Sequence, residues 1–260
     1  MAGKIRLNVL FDMAEQAETL AGMLKYPAGF FIKTDVGYHR SGVDPSDFET
    51  IERILEATAG TILSFQGFLT HPGHTYKAQS KEEVLLILKE TIRLLAGLKK
   101  KYQTRYPGLI LSTGDTPSCS LGEDFAGIDE IRPGNFVYYD LMQNRLGSCR
   151  FSEIGAAVIC PVVSVYPERN EALIYGGAVN LSKESLTNRN GSKTYGLIVP
   201  FASEHWQNAE GEDHIVSLSQ EHGIFKTASL WARSLKSGTL VAVIPVHSCL
   251  AVNQSKLGSY

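Results

Sequence analysis

The tripeptide His247-Ser248-Cys249 places an imidazole and a thiol two positions apart, directly after the apolar run 239–245. Successive side chains of a β-strand point to opposite faces, so residues two apart share a face. Imidazole nitrogen and thiolate sulfur are both good zinc ligands, and two protein ligands leave coordination positions for water or substrate. The spacing therefore indicates a catalytic metal site; the alternative is a buried cysteine beside an incidental histidine.

Four further segments adjoin predicted strands and combine glycine with His, Arg, Thr or Tyr. They are VGYHRSG (36–42), LTHPGHTY (69–76), GDTPS (114–118) and IRPG (131–134). In parallel α/β folds, functional residues gather at the carboxyl ends of the strands. Four such segments in succession therefore predict a site.

The chemistry of these segments suits an anionic ligand. Gly114 allows backbone N–H groups to approach a phosphate, and Thr116 adds a hydroxyl donor, although a plain turn is the alternative. Asp115 would repel a phosphate unless its carboxylate points away. Arg40 could pair with an anionic oxygen. The side chains of His71, His74 and Tyr76 could transfer protons or stack, against ordinary loop packing.

Strand-like and helix-like segments alternate in the first half of the chain and predict a parallel sheet with crossover helices. The predicted strands are 5–11, 29–35, 61–68, 109–113 and 135–140. The predicted helices start near 13, after a capping box at Ser46–Glu49, and after a second box at Ser80–Glu83.

After about residue 145 the helical patterns stop, and five apolar segments separated by turn residues predict an all-β domain. The expected architecture is α/β followed by all-β, divided as 1–145 and 146–260. A closed (β/α) barrel needs eight strand–helix units in about 250 residues. Since only four or five units are predicted, the sheet is open or the beginning of a barrel is absent.

Composition is that of an ordinary soluble globular protein: 43% hydrophobic, 20% charged, formal net charge -2. The longest run of like charge is Lys99–Lys101, so a nucleic-acid surface is not expected. The first residues contain charges that interrupt any apolar core, which disfavours a signal or spanning segment. Four scattered cysteines without a CxxC pair favour a reducing, cytoplasmic setting.

Several motifs resemble a known family when taken together. KTDVGYHRSGVD (33–44) resembles the KxDxGxxRxG segment of the alanine-racemase-like, fold-type III pyridoxal-phosphate (PLP) enzymes. HPGHTY, STGDTPSC, EIRPGNFVYYDLMQ, SLSQEHG and PVHSC, in this order, resemble the D-serine dehydratase and D-threonine aldolase family. The HSC sequence, as opposed to a His-x-Asp pair, is similar to the D-serine dehydratase branch.

The resemblance implies a partial (β/α) barrel of alanine-racemase type that lacks its first strands, followed by a β domain, and a homodimer. It implies PLP and zinc as cofactors, with Arg40 beside the phenolic oxygen of PLP and Tyr76 lining the pocket. The cofactor phosphate would be held by Thr113, Gly114 and Thr116 with the backbone at Gly134 and Asn135. Zinc would be bound by His247 and Cys249.

The implied activity is that of a lyase, which converts D-serine to pyruvate and ammonia by β-elimination with zinc assisting departure of the hydroxyl. In this family the Schiff-base lysine lies in an RPHxKTHK-like segment, and no such segment occurs in these 260 residues. Lys33 matches a different lysine of the family. We therefore expect the chain to lack about the first hundred residues of a family member and to be inactive in isolation. Val246, where asparagine commonly precedes the zinc histidine, weakens support for that ligand.

Three alternatives stay open. The chain could be a lysine-less relative that binds PLP or zinc or docks with a full-length paralogue. It could have D-threonine aldolase-like activity toward another β-hydroxy D-amino acid. A third hypothesis is a zinc hydrolase that uses His247, Cys249 and a further ligand such as His71 or His222.

Overall fold

The computed structural model describes residues 4–188, 190–202, 205–206 and 213–254. The chain divides into two compact units, Met1–Gly134 and Asn135–Tyr260. Across the described ranges, no helix is both long enough and apolar enough to span a membrane.

The first unit is a five-stranded parallel sheet whose strands are neighbours in the order in which they occur along the chain. Its strands are β1 (Asn8–Phe11), β2 (Ala28–Thr34), β3 (Leu63–Thr70), β4 (Ile110–Thr113) and β5 (Glu130–Ile131). Its helices are α1 (Ala14–Met23), α2 (Phe48–Thr58), α3 (Lys81–Tyr102) and α4 (Thr116–Leu121), with a 3-10 turn at Gly73–Lys77. This sequential parallel order confirms the strand–helix alternation predicted for the first half.

Burial and capping explain these elements. The central strand β2 has Phe30 and Ile32 fully buried in the core, consistent with a parallel strand covered on its faces. Helix α3 begins as predicted, with Ser80 Oγ accepting a hydrogen bond from the Glu83 N–H at 3.2 Å. The prediction for α2 was one residue early: Asp47, rather than Ser46, caps the helix by accepting from Thr50 N–H at 3.0 Å.

The second unit is built on an antiparallel sheet with the order β11-β10-β14-β6-β7-β13-β12. Its strands are β6 (Val158–Tyr166), β7 (Glu171–Ile174), β8 (Leu186–Thr187), β9 (Lys193–Thr194), β10 (Gly196–Ala202), β11 (His205–Trp206), β12 (Ile215–Leu218), β13 (Gly223–Lys226) and β14 (Leu240–Pro245); β8 and β9 form a separate ribbon. Backbone hydrogen bonds from Tyr195 to Ile215 and from Ile198 to Asp213, at 3.0 and 2.8 Å, join the β10 and β12 sides. The sheet thus curls round its apolar core, and the all-β expectation is confirmed in outline.

Short helices nevertheless occur in the described part of the second unit, three of them after residue 146, contrary to the expectation that helices stop after about residue 145. They are α5 (Leu141–Leu146), α6 (Ala178–Leu181), α7 (Leu230–Arg233) and α8 (Ser248–Gln254). The predicted strand 135–140 is also wrong, because residues 135–137 form a 3-10 turn and Asp140 caps α5 by accepting from Gln143 N–H at 2.9 Å. The consecutive aromatic and β-branched residues at 136–139 resembled a strand, but the buried Asp140 favours a helix start.

The predicted division at 145/146 falls later than the division between the compact units at 134/135. Residues 139–142 are tied to the C-terminal part of the chain, since Met142 N–H donates to the Val246 carbonyl at 3.3 Å. Ser248 donates through its side chain to the Tyr139 carbonyl. These hydrogen bonds explain why the segment belongs with the second unit.

Gly67 provides a test of the parallel sheet. Its φ is +147°, and a Cβ there would lie 1.9 Å from the Ile110 carbonyl oxygen of β4. We expect Gly67→Ala to lower the free energy of unfolding by about 2–4 kcal/mol, since strain and overpacking each cost about 1–3 kcal/mol. The matched control is Gly97→Ala within α3, where no atom lies within 4 Å; it should stabilise by roughly 0.5–1 kcal/mol. Urea unfolding measures both, and equal stabilities would contradict the strand contact.

Candidate functional site

In the first unit, the loop after β2 is organised by one carboxylate. Asp35 Oδ1 accepts backbone N–H bonds from Gly37, Tyr38 and His39 at 2.9–3.0 Å. These hydrogen bonds lower the pKa of Asp35 although partial burial acts to raise it. The loop carries Arg40 to the surface with its guanidinium 5.1 Å from the centroid of the Tyr38 ring. Arg40 is therefore an exposed cation held on a fixed turn.

His71 connects this loop with the ends of β3 and β4. Its Nδ1 lies 2.6 Å from the Gly114 carbonyl oxygen, and its ring packs edge-on to Tyr38 at 5.7 Å between centroids. The Tyr76 ring lies 6.4 Å away, and its hydroxyl accepts from Thr116 N–H at 3.4 Å. The structure thus brings together residues from three of the four segments that the sequence singled out.

Gly114 sits where the backbone of β4 approaches Arg132. A Cβ at this position would lie 2.5 Å from the Arg132 carbonyl oxygen, so only glycine fits. The preceding residue, Thr113, is buried, and its hydroxyl has no hydrogen-bond partner in the part of the chain that the structure describes. A buried hydroxyl without a partner is a position where a ligand oxygen would be favourable. Gly134, by contrast, is exposed, with no atom within 4 Å of a would-be Cβ.

One oxygen of the Asp115 carboxylate is taken up by hydrogen bonds and does not face an anion held at this turn. Its Oδ1 caps α4 by accepting from Ser118 N–H at 2.8 Å and also accepts from the Thr75 hydroxyl at 2.7 Å. Burial raises its pKa, although these hydrogen bonds oppose the shift. Oδ1 is thus engaged by α4 and the 3-10 turn, whereas Oδ2 is buried without a hydrogen bond to any described residue.

Arg132 lies in the fourth of the segments that adjoin predicted strands, IRPG, but the sequence analysis assigned it no role of its own. Its guanidinium donates to the Thr70 carbonyl at 2.5 Å and to the Ser112 hydroxyl at 2.7 Å, which links the ends of β3 and β4. Ser112 in turn donates to Glu130 at 2.5 Å. Lys33, on β2, donates to Ser41 Oγ at 2.5 Å, and its pKa is lowered chiefly by burial and then by Arg40.

In the second unit, Asp140 is fully buried and faces the pair that opened the sequence analysis. Its Oδ2 accepts from the Asn135 amide at 2.5 Å and from Ser248 N–H at 3.0 Å. The same oxygen lies 3.4 Å from His247 Nδ1. The Cys249 thiol donates to the Asn135 amide oxygen at 3.4 Å. The Asp140 carboxylate therefore contacts His247, and the Asn135 amide contacts Cys249. The sequence analysis did not identify Asp140.

The local structure of this pair differs from the prediction. Strand β14 ends at Pro245 and α8 begins at Ser248, so His247 and Cys249 lie at a strand-to-helix turn and not on one face of a strand. The turn forms because the Ser248 N–H and hydroxyl are taken up by Asp140 and the Tyr139 carbonyl. Burial, followed by the nearby Asp140 charge, raises the pKa of the Cys249 thiol.

The imidazole of His247 and the thiol of Cys249 are suitable zinc ligands, but two ligands do not complete the coordination of the ion. Among the residues that the structure describes, no three or more His, Cys, Asp or Glu side chains are grouped to hold a metal ion. His222 packs against Tyr175 at 5.4 Å between ring centroids. The hypothesis of a hydrolase site with His71 or His222 as a third ligand therefore gains no support. His247 Nδ1 is buried without a hydrogen bond to any described residue, and with Asp140 beside it the other ring nitrogen, Nε2, is the one left for a metal.

A sequential parallel sheet followed by an antiparallel β unit defines a protein with the alanine-racemase fold. Residues 2–141 match the family described as "Alanine racemase, N-terminal domain", and residues 155–257 match "Putative serine dehydratase domain". The alanine racemase-like protein of Idiomarina loihiensis superposes with a TM-score of 0.82 at 26% identity, over 96% of this chain and 66% of that one. D-threo-3-hydroxyaspartate dehydratase from Delftia sp. HT23 shares the fold at a TM-score of 0.81 and 22% identity, over 95% and 67% of the two chains.

The chain belongs to the family described as "Alanine racemase, N-terminal domain", whose model matches more than half of it. Within this fold, the chain is similar to D-serine dehydratases. It is 32% identical to the D-serine dehydratase of Dictyostelium discoideum over 94% of this chain and 65% of the relative. The Saccharomyces cerevisiae D-serine dehydratase is 27% identical over 95% of this chain and 63% of the relative. The chain thus spans somewhat less than two thirds of the length of these curated relatives.

The burial of His71 leads to a pH prediction. Burial lowers its pKa below the usual 6.5, with Arg40 adding to the effect. Because the folded-state pKa is lower than the unfolded one, protonation favours unfolding, and the contribution of His71 to stability should fall as pH decreases through about 6.5. An NMR titration of the imidazole should give a midpoint below 6.5. Stability should fall less between pH 7 and 5 in His71→Gln than in the unmodified chain. His39→Asn, at a largely exposed side chain, is the control, and an unchanged slope in His71→Gln would contradict the prediction.

Proposed function

We propose that this chain carries the cofactor-phosphate loops and the metal pair of a PLP- and zinc-dependent D-serine dehydratase-like lyase. The observation that carries the proposal is the conjunction of two arrangements in one chain. His71, Tyr76, Gly114 and Thr116 contact one another in the first unit. His247 and Cys249 share Asp140 and Asn135 in the second. The similarity to D-serine dehydratases supports a lyase; the cofactors, the substrate and a homodimeric state are parts of the proposal.

The residues of the first unit fit PLP. The Gly114 turn gives close backbone access, and Thr113 offers a buried hydroxyl that makes no hydrogen bond to any described residue. Asp115 Oδ1 is taken up by hydrogen bonds from Ser118 N–H and the Thr75 hydroxyl, which reduces its repulsion of a phosphate. Arg40 provides a cation for the phenolic oxygen, and Tyr76 lines the pocket. When bound, PLP withdraws electrons from the amino acid's α-carbon; the residues named here hold and orient it.

The residues of the second unit fit zinc. An imidazole and a thiol supply nitrogen and sulfur donors, and the carboxylate next to Nδ1 is the partner that metal-bound histidines commonly have. Two protein ligands would leave positions for the substrate's β-hydroxyl. A bound zinc ion would supply Lewis acidity toward that leaving group. His247 and Cys249 would fix the ion, and Cys249 in place of an aspartate favours a dehydratase over a D-threonine aldolase.

A second candidate is that these 260 residues, which contain no RPHxKTHK-like segment, bind PLP or zinc or pair with a full-length paralogue without turning over substrate themselves. The two candidates differ in what the chain does with D-serine. Pyruvate formed by the purified chain would support a complete enzyme. Activity that appears only after a paralogue is added would support the second candidate.

The first prediction from the proposal concerns PLP. We expect the chain to bind PLP without covalent attachment, so that borohydride treatment leaves the protein mass unchanged. Thr113→Val should weaken PLP binding about tenfold, because one hydrogen bond contributes roughly 0.5–1.5 kcal/mol. It should leave the stability of the free chain unchanged or raised, since the hydroxyl there makes no hydrogen bond to a described residue.

Thr91→Val is the matched control. Thr91 is a buried α3 residue whose hydroxyl likewise has no partner among the described residues, so its replacement should leave PLP affinity unchanged. Fluorescence titration with PLP measures both variants. Equal affinities of Thr113→Val and the unmodified chain would remove Thr113 from the cofactor site, and a covalent, reducible adduct would overturn the first expectation.

The second prediction concerns zinc. Dialysis against zinc followed by elemental analysis should give about one ion per chain. His247→Ala and Cys249→Ser should each lose the ion, because a single remaining protein ligand is too few to hold zinc. Cys119→Ser is the control, as Cys119 is a half-buried thiol of α4 in the first unit. Zinc retained by both ligand variants would refute the assignment.

A further inference from the structure

We propose that Asp140 is the positioning residue for both metal ligands, directly for His247 and through Asn135 for Cys249. This inference rests on the proposed zinc site and adds to it a residue that neither composition nor motif spacing identified. It concerns only contacts within the second unit.

The direct contact is the one between Asp140 and the imidazole of His247. Oδ2 lies 3.4 Å from His247 Nδ1, which is buried and has no better acceptor among the residues that the structure describes. This contact is not a hydrogen bond, but a carboxylate charge at that distance favours a proton on Nδ1. Asp140 therefore favours the tautomer with the proton on Nδ1. That tautomer leaves the Nε2 lone pair free to bind a metal.

The indirect connection, from Asp140 to Cys249, passes through the Asn135 amide. A carboxylate can only accept, so the Asn135 NH₂ group must face Asp140, as the 2.5 Å contact shows. The amide oxygen is then forced toward Cys249, whose sulfur lies 3.4 Å away. This orientation presents an acceptor oxygen to the sulfur, which suits a thiol hydrogen or a nearby cation but not a bare thiolate. Asp140 thus fixes the orientation of the Asn135 amide beside Cys249.

The same carboxylate fixes the backbone between the two ligands. Oδ2 accepts from Ser248 N–H at 3.0 Å, and Oδ1 caps α5 at Gln143. The strand-to-helix turn that carries His247 and Cys249 is therefore anchored at its middle residue. Asp140 supplies the support that Val246, in place of asparagine, cannot.

The test uses the 260-residue chain with Co²⁺ as a spectroscopic probe of the zinc site. We expect Asp140→Asn to weaken Co²⁺ binding about 10- to 100-fold, the usual effect of removing such a partner. An amide has one acceptor oxygen where the carboxylate has two, so some of the donors now held by Asp140 lose their partner. Asn135→Ala should weaken binding less, because it removes the contact with Cys249 and one donor to Asp140 but leaves the carboxylate beside His247.

Asp213→Asn is the matched control. Asp213 is a buried carboxylate of the same unit that accepts from Ala228 N–H, Ser229 N–H and the Ser229 hydroxyl. Its replacement should lower stability in a comparable way and leave Co²⁺ affinity unchanged. If Asp140→Asn remains folded and binds Co²⁺ as tightly as the unmodified chain, the proposal is wrong.

A second measurement needs no metal. Imidazole ¹⁵N NMR of the metal-free chain should show the His247 proton on Nδ1 at neutral pH, and Asp140→Asn should shift the balance toward Nε2–H. Asn135→Ala should leave the tautomer unchanged. A chain that binds no Co²⁺ would refute the zinc assignment. The tautomer of His247 would still test whether Asp140 orients that imidazole. An Nε2–H tautomer in the unmodified chain would overturn it.

Discussion

Asp140 is a fully buried carboxylate, and the candidate metal site depends on how its charge is compensated. A buried ionised group is tolerated only when donors surround it. Here the donors are backbone N–H groups at the starts of α5 and α8 and the side chain of Asn135. Meeting this requirement fixes the chain turn that carries His247 and Cys249. The hydrogen bonds that stabilise the buried Asp140 carboxylate therefore determine the geometry of the turn around it.

The first unit uses the same principle at Asp115. This carboxylate is compensated by the α4 N–H of Ser118 and by the Thr75 hydroxyl, which ties the segment after β3 to the segment after β4. Arg132 adds a second link, since its guanidinium joins the Thr70 carbonyl with Ser112. Parallel strands bring their carboxyl ends to one edge of the sheet, and these polar contacts then fix the loops relative to one another.

The two units of the chain match two family models, the alanine racemase N-terminal domain and the putative serine dehydratase domain, in that order. The family relationship covers nearly all of this sequence but somewhat less than two thirds of its curated relatives. Function on this fold is determined by particular side chains, and related enzymes carry out different chemistry on it. The proposed reaction therefore depends on Thr113, Gly114, His247 and Cys249 individually.

The sequence by itself determined the order of elements, the parallel character of the first sheet and the segments in which polar residues gather. Periodicity, glycine positions and helix caps are local properties, so Ser80 and the strand near 109–113 could be identified without a structure. It did not determine the turn at residues 135–140, where a run of aromatic and β-branched residues predicted a strand. Only the tertiary structure decided that Asp140 lies beside His247 and that Arg132 links three strand ends. Residues 140 and 247 are far apart in the sequence, and whether a carboxylate is buried or solvated depends on packing that no local pattern encodes.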